Sequence, residues 1–463
     1  MASITGSFHS ATLALQQDQL ALTATADNIS NQNTLGYARR TVAWSSGDTV
    51  TLSGTVTLQA PVATVSAQRS SVLDAAVVGT TSSAASAATT KSALDDLQSV
   101  FAINSSGDEG SGINAAMSGF FAAAQAVAAD PASTSARQAA FAAAQTVASA
   151  FRSTSATFAE QASGLEGTIQ SAVGSVNQLT ASIASLNGSI ARTGNTADHD
   201  TLIDQRTAQI ESLSQLIGVQ QTANSDGSVS LFTSNGGALV VSSISNALTA
   251  GSVGGALQLY AQGSNITAGL EGGSIGGALL ARDGILADVR SRIDALTTAF
   301  TDAVNTVNAN GHTATGSPGQ PIFTINAAAL HPAASVSIRA ASGADFASAS
   351  SSEGSGGTAN ANALAALGIQ KDASGNTFAD TLSAVISSIG TTASTATNAA
   401  AIAASALTQA TAHQQALSGV SLDTEAANLT QYQRSYQAEA KLLSILNQIM
   451  ADSINLGTNT AVS

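Results

Sequence analysis

Two spots in the chain combine residue types and spacing that could do chemistry. Gly272-Gly273-Ser274-Ile275-Gly276 reads as a G-x-S-x-G nucleophile elbow. That motif strains a serine at a strand-to-helix turn, so that its hydroxyl is exposed for attack on an acyl carbon. A serine hydrolase using Ser274 also needs a His and an acid placed after the elbow, and a central parallel sheet. The sequence around Ser274 supplies neither pattern, and in a chain with 40 glycines the run reads equally as a turn leading into a helix. The second spot is Asp198-His199-Asp200. Two carboxylates and an imidazole could ligate a metal, but adjacent residues at a helix start do not face one point. Acids at that place suit the positive end of the helix dipole.

The other histidines, His9, His312, His331 and His413, are scattered without an i, i+4 pair. The chain has no Cys, which excludes thiolate metal sites, disulfides and Cys nucleophiles. No metal and no cofactor is expected. Asp204-Gln205-Arg206 and Arg282-Asp283 stand in helices otherwise short of charge. There an Arg reads either as a packing or interface element or as a solvated face.

The elements that must carry these spots are mostly helical. The 463 residues exceed one ordinary core, so two to four domains are expected. Charged residues are 10% of the chain and the net charge is −14, with Lys91, Lys371 and Lys441 as the only lysines. So acidic a chain lacks the footprint of a nucleic-acid binder, and aromatics at 4% leave no base-stacking platform. No apolar run approaches the roughly 18 residues of a membrane span. The N-terminus has no positive segment, and Gln16-Gln17 and Asp18 interrupt any signal-like apolar run. The chain is therefore expected in the cytoplasm, or exported by a route that reads no cleaved signal.

Apolar spacing predicts helices over 1–30, 72–103, 113–191, 199–217, 277–309, 378–417 and 421–456. Asp130-Pro131 should break the third, because the residue before proline avoids the α region. Residues 48–66 alternate and suggest a short hairpin, and 104–112 reads as an acidic Gly/Ser loop. Asp226-Gly227 and Asn235-Gly236-Gly237 between β-branched runs mark a small β domain. The layout is nested. Terminal helices 1–40 and 418–463 enclose a bundle built from 41–217 and 277–417. That bundle encloses a β domain at 218–276 and a short irregular or β insertion at 311–370. The fold class is mainly α with β insertions (α+β), elongated and multidomain.

Both ends carry apolar stripes with coiled-coil spacing. One runs through Ile4, Phe8, Ala11, Leu15, Leu22 and Ile29. The other runs through Leu422, Ala426, Leu429, Tyr432, Tyr436, Leu443, Leu446 and Met450. Neither buries itself alone. They should pair with each other as an adjacent coiled coil, with copies of themselves, or both.

Several runs carry a resemblance. Asp27-Asn28-Ile29-Ser30-Asn31-Gln32-Asn33-Thr34-Leu35-Gly36-Tyr37-Ala38-Arg39 opens it. Phe120-Phe121 with Asp130-Pro131 and Arg137, Ile183 to Asn187, Asp204-Gln205-Arg206, Gly276 to Asp283 and Gln320-Pro321-Ile322-Phe323 follow in order. Ser418 to Glu425 then leads into Leu429-Tyr432-Gln433-Tyr436-Ala438. Over nearly its whole length the chain resembles the bacterial flagellar axial proteins, and among them the subunits that join hook to filament. Residues 45–90 match weakly, and the 311–370 insertion is short for the family.

The resemblance implies a structural subunit, not an enzyme, in the flagellum outside the cell, exported without a cleaved signal peptide. It implies helical self-assembly, with Ile4, Phe8, Leu15, Leu22, Ile29, Leu429, Tyr432, Tyr436, Leu443, Leu446 and Met450 at the interface. Asn28, Asn31, Thr34, Gly36, Tyr37 and Arg39 form its axial motif. Implied partners are copies in a ring, the hook protein, a second junction protein on the filament side, the export apparatus and an export chaperone on the C-terminal helix. Free of partners, the stripes would stay mobile and order on assembly. The rivals are another axial protein such as the hook subunit or the second junction protein, a serine hydrolase using Ser274, and a secreted adhesin suggested by Ser, Thr and Gly content.

Overall fold

A computed structural model describes residues 2–45, 49–52, 55–58, 62–101, 112–193, 197–354 and 356–459. Helix α1 (Ala2–Ser30) leads into strands β1 (Arg40–Ser45), β2 (Thr49–Leu52), β3 (Thr55–Leu58) and β4 (Val62–Ala67). β1 pairs with β4 and β2 with β3 in one common antiparallel register, Arg40 opposite Ala67 and Leu52 opposite Thr55. The hairpin is therefore longer than the 48–66 alternation indicates. Arg40–Ser45 extends it although its sequence does not alternate cleanly.

Helices α2 (Ser71–Phe101), α3 (Ile113–Ala129), α4 (Thr134–Thr193) and α5 (Ala197–Leu216) follow. The expected loop at 104–112 lies, except for Gly112, outside the described residues. Asp130-Pro131 does interrupt the helix, between α3 and α4. α4 then runs 60 residues, about 90 Å at the α-helical rise. Two cores form along it. The first gathers Phe120, Phe151, Phe158, Phe300, Phe323 and Phe346 with apolar residues of α2 and α3. It also takes residues of α7 (Ala287–Ala309), α8 (Ala359–Ala366) and α9 (Phe378–Ser418). Elements from both halves of the chain thus build one bundle. Phe300 is its hub, with rings of Phe120, Phe121, Phe151, Phe323 and Phe378 at centroid distances of 5.5–6.0 Å. Ile322, Val336 and Leu364 tie the 311–370 segment into the same core.

The second core lies on the distal half of α4. Strands β5 (Val219–Ala223), β6 (Val229–Thr233), β7 (Ala238–Val241) and β8 (Ile244–Ser245) form one antiparallel sheet. β9 (Leu248–Val253), β10 (Ala256–Ala261) and β11 (Ser264–Asn265) form another. Both put their apolar residues on the α4 stripe. Leu231, Val240, Leu248 and Leu259 share one cluster with Ile169, Val176 and Ile183. Lifting out the strands would bare that stripe, so the β segment and α4 stabilise each other.

Helix α6 (Gly273–Leu279) continues through a π-helical turn (Leu280–Leu286) into α7. The strands Phe323–Thr324 and Ser337–Ile338 (β12 and β13) are a minor ribbon. The closing helix α10 (Leu422–Asn459) packs along α1, while α9 packs along α2. The two terminal stripes thus meet each other within one chain.

Candidate functional site

Ser274 sits in the first turn of α6, beside Gly164, Gly167, Thr168, Ser171, Ser175 and Leu216 in a shallow depression. None of these is a His or an acid, and the sheets around α4 are antiparallel. The glycines have a packing reason instead. A Cβ at Gly273 would strike the backbone of Leu216 and Ile217, and one at Gly277 the Ser86 carbonyl and Thr89. Gly272 and Gly273 take φ of 79° and 62°, which side chains avoid. The elbow-like run is the seat that brings α6 against α2 and the end of α5. Ser274→Ala should therefore leave stability and motility unchanged, whereas Gly277→Ala should cost about 1–3 kcal/mol as overpacking. Thermal melts of the two variants check this.

Polar chemistry concentrates elsewhere, where the terminal helices meet the bundle. Asn28, in the last turn of α1, is buried and uses every hydrogen-bonding position of its amide. Its Nδ2 donates to the Arg40 carbonyl at 2.9 Å and Glu425 Oε2 at 3.1 Å. Its Oδ1 accepts from the Tyr37 hydroxyl at 2.8 Å and the Arg40 N–H at 2.7 Å. Glu425, only 1% exposed in the first turn of α10, also accepts from Arg39 Nε at 2.7 Å. The Arg39 N–H donates to the Ser418 carbonyl at the end of α9. One asparagine and one glutamate thus bind α1, the loop after it, and α10 together.

A second set of bonds ties this knot to the bundle. Asp204 of α5 accepts from Arg40 at 2.6 Å, Arg69 at 2.5 Å and the Ala38 N–H at 3.3 Å. Asp200 pairs with Arg40 at 3.0 Å. Arg69 also donates to the Gly36 carbonyl and to Asp74 at the start of α2, and Asp74 accepts from Gln414 of α9. Burial pushes the Asp204 carboxyl up, against the pull of Arg40 and Arg69. Burial likewise pushes the Tyr37 hydroxyl up to about 12, so it stays a donor to Asn28 at any physiological pH. The Arg40 guanidinium lies 5.3 Å from the Tyr37 ring centroid.

Gly36 is required by close approach. Its φ is 76°, and a Cβ would lie 2.6 Å from the Asp204 carbonyl oxygen and 2.8 Å from the Ala208 nitrogen. Asn31 and Thr34 shape the turn leading there, with Thr34 Oγ1 donating to Asn31 Oδ1. The motif residues Asn28, Asn31, Thr34, Gly36, Tyr37 and Arg39 are thus brought to one joint.

The stripe residues lie along the α1–α10 seam. Phe8, Leu15, Leu22 and Ile29 are half-buried, while the side chain of Ile4 is outside the described residues. Among the described side chains of α1, the buried apolar ones are Ala11, Ala21 and Ala24, so the helices meet over small side chains. On α10, Leu429, Tyr432, Leu443, Leu446 and Met450 are half-buried, and the stripe passes through Ser435 and Glu439. Tyr436 is one position round the helix and is 39% exposed. About a quarter-turn round the helix from the seam, Leu442, Ile445 and Ile449 are about half exposed, at helical spacing.

Asp198 and His199 take no part in the joint bonds, while their neighbour Asp200 does. Arg206 bridges α5 to the β segment through Asn187 Oδ1 and the Gly227 carbonyl, and burial lowers its pKa to about 10. Arg282 joins Glu166 of α4 to the Leu257 carbonyl of β10. Arg40, Arg69 and Asp74 carry the joint without belonging to the axial motif, and Glu425 enters the sequence reading only as the last residue of the Ser418–Glu425 run. Their signal is scarcity. Where one residue in ten is charged, an Arg-Arg pair beside an Asn-rich turn seldom serves only as surface.

Residues 94–323 match the family described as flagellar hook-associated protein FlgK helical domain, and 413–456 match the C-terminal region of flagellar basal body rod FlgEFG proteins. Flagellar hook-associated protein 1 of Salmonella typhimurium is 22% identical, covering 96% of this chain and 98% of the relative. That of Bacillus subtilis is 25% identical, covering 96% of each. In fold, the chain is similar to the solved flagellar hook junction protein FlgK from Burkholderia pseudomallei, with a TM-score of 0.64 at 18% identity. That likeness covers 74% of this chain and all of the other.

Proposed function

This chain belongs to the flagellar hook-associated protein family and is a structural protein of the hook–filament junction, and we propose that it works by self-assembly through its terminal helix pair. The observation that carries the mechanism is the second apolar face of α10. Leu442, Ile445 and Ile449 stay exposed after α1 has covered the first face. A helix pair held at one angle by the joint, and apolar on its free side, suits repeated packing against further copies. A heterologous contact that does not close on itself gives a helical array.

In this reading the joint transmits force, because bundle and terminal helices are bound by buried charge-assisted hydrogen bonds. No reaction is required of Ser274 or of any other side chain, and the subunit is not an enzyme. The protein is a component of the bacterial flagellum and associates with other flagellar components. The finer partners belong to the proposal. They are its own copies in a ring, the hook protein on one side, and a second junction protein and the filament on the other. Export would use the flagellar apparatus, without a cleaved signal peptide, and a chaperone holding the C-terminal helix.

Deleting the gene tests the role. Electron microscopy should show hooks of normal length without filaments, restored by the full chain in trans. Cells that lack hooks altogether would instead make it a rod or hook subunit, the nearest rival given the match at 413–456. Cells with attached filaments would overturn the reading.

A further inference from the structure

A cleft of about 600 Å³ opens in the bundle between α7, the start of α9 and the turn that joins α8 to α9. None of its lining residues belongs to the terminal helices, so it exists whatever those helices do. Side-chain size explains it. Ala295, Ala299 and Ala303 stand one turn apart on α7, and Ala384 of α9 lines the same space. Side chains that small leave the gap between two helix backbones unfilled. The floor is apolar. Leu296, Leu367 and Val385 are each at most 6% exposed, and the Phe378 ring packs 5.5 Å from that of Phe300.

Cations stand toward both ends. Arg292 bonds across to Ser388 while Phe300 meets Phe378, so α7 and α9 run antiparallel, with Arg292 at one end and the turn bearing Lys371 at the other. The Arg292 charge is already engaged, with Nη1 donating to Ser388 Oγ at 2.9 Å and Nε lying 3.5 Å from Asp288. Lys371 differs. Among the described residues its ammonium has no such partner, and Asp380 feels its charge without pairing. Lys91, by contrast, is held by Asp95 at 2.5 Å. The acids near Lys371 are turned to the backbone. Asp372 Oδ1 accepts from the N–H groups of Ser374 and Asn376 at 2.8 and 3.0 Å. Asp380 Oδ2 accepts from the Thr377 N–H at 3.0 Å and its hydroxyl at 2.9 Å. An anion entering at this end meets an uncommitted ammonium above an apolar floor.

We propose that this cleft binds a detached single-chain alkyl carboxylate, with its tail on Leu296, Leu367, Phe378 and Val385 and its carboxylate on Lys371. An apolar recess of this volume with a few polar groups at its mouth is the common form of a small-molecule site. The ammonium sets the sign of the head group, because a charge-assisted bond from Lys371 rewards an anion and repels a cation. The floor sets the tail, because each methylene that leaves water for it tightens binding up to about fourfold. The recess lies between two helices, so it takes one chain and not the face of a bilayer.

Isothermal titration calorimetry of the full chain with decanoate, kept below micelle formation at about pH 7.5, tests the assignment. Decanoate should bind saturably at one site. Decanol, which keeps the tail and lacks the charge, should bind at least about tenfold more weakly. Lys371→Ala, on an exposed turn, should erase that preference. Ala299→Phe fills the cleft from an exposed position and should abolish binding of both without lowering the melting temperature. Either variant alone suffices if the other fails to fold. Decanoate that does not saturate, or equal affinity for decanoate, decanol and decyltrimethylammonium, overturns the proposal. So does a folded Ala299→Phe chain that loses motility while the parent binds no decanoate, which would assign the cleft to a second copy.

Discussion

Asp204→Ala is expected to unhinge the terminal helices while the bundle stays folded. One carboxylate there accepts from two guanidiniums and a backbone N–H. Its removal leaves Arg40 with Asp200 and Arg69 with Asp74, in a joint closed to most water. Taking one partner from a buried ion pair costs about 3–5 kcal/mol, because the stranded charge stays desolvated. The surviving acids place this variant near the lower end of that range. The cost falls on the joint, since among the described residues none of the joint side chains belongs to the Phe300 core. Amide exchange should show loss of protection in α1 and the first turns of α10, with α3 and α4 unchanged. Motility should fall in parallel. Asp204→Asn, which keeps one acceptor oxygen, should lie between. Unchanged protection in α1 would mean that the joint does not hold the terminal pair.

Leu443→Asp should abolish the junction role with little change in the main melting transition. Leu443 is half-buried in the seam, one turn beyond Glu439 on the same stripe. Full burial of a Leu contributes roughly 1.5–3 kcal/mol, so a half-buried one contributes toward the lower figure. The new carboxylate adds repulsion next to an acid already short of a partner. The α1–α10 pair should open, and bare hooks with filament protein in the medium should result. Among the described residues, the cores along α4 contain none of α10, so their transition should stay in place. A sharply lower melting temperature would show instead that α10 is part of the folding core.

Much of the architecture was legible because it is local or periodic. The Asp130-Pro131 break, the Asp-Gly and Asn-Gly turns and the long α4 stripe are each written within a few residues. The joint is not. Asn28 meets Glu425 and Asp74 meets Gln414 across more than three hundred residues, and no spacing rule connects such pairs. Motif reading therefore found Asn28, Gly36, Tyr37 and Arg39 as a run without revealing what they grip. Tyr436 shows a different limit. Stepping from Tyr432 by four or by three gives Tyr436 or Ser435, and the aromatic is the natural choice on hydropathy. The structure takes Ser435 and Glu439, because α1 offers alanines and can approach a small face closely. The elbow-like glycines were legible as a turn, but their tight packing on α2 and α5 depends on elements far away in sequence.

The absence of cysteine allows the central claim, that the free face of α10 is buried by neighbouring copies, to be tested by single-site labelling. Ile445→Cys places a thiol on that face, where the native side chain is 50% exposed. Ser264→Cys places one on the exposed β11 of the outer sheet. Maleimide labelling would be compared between the purified chain and isolated hook–filament junctions. The account predicts that both thiols label readily in the purified chain, and that assembly suppresses labelling at position 445 at least about tenfold while position 264 still reacts. Equal labelling of position 445 in the junction and in the free chain would contradict it.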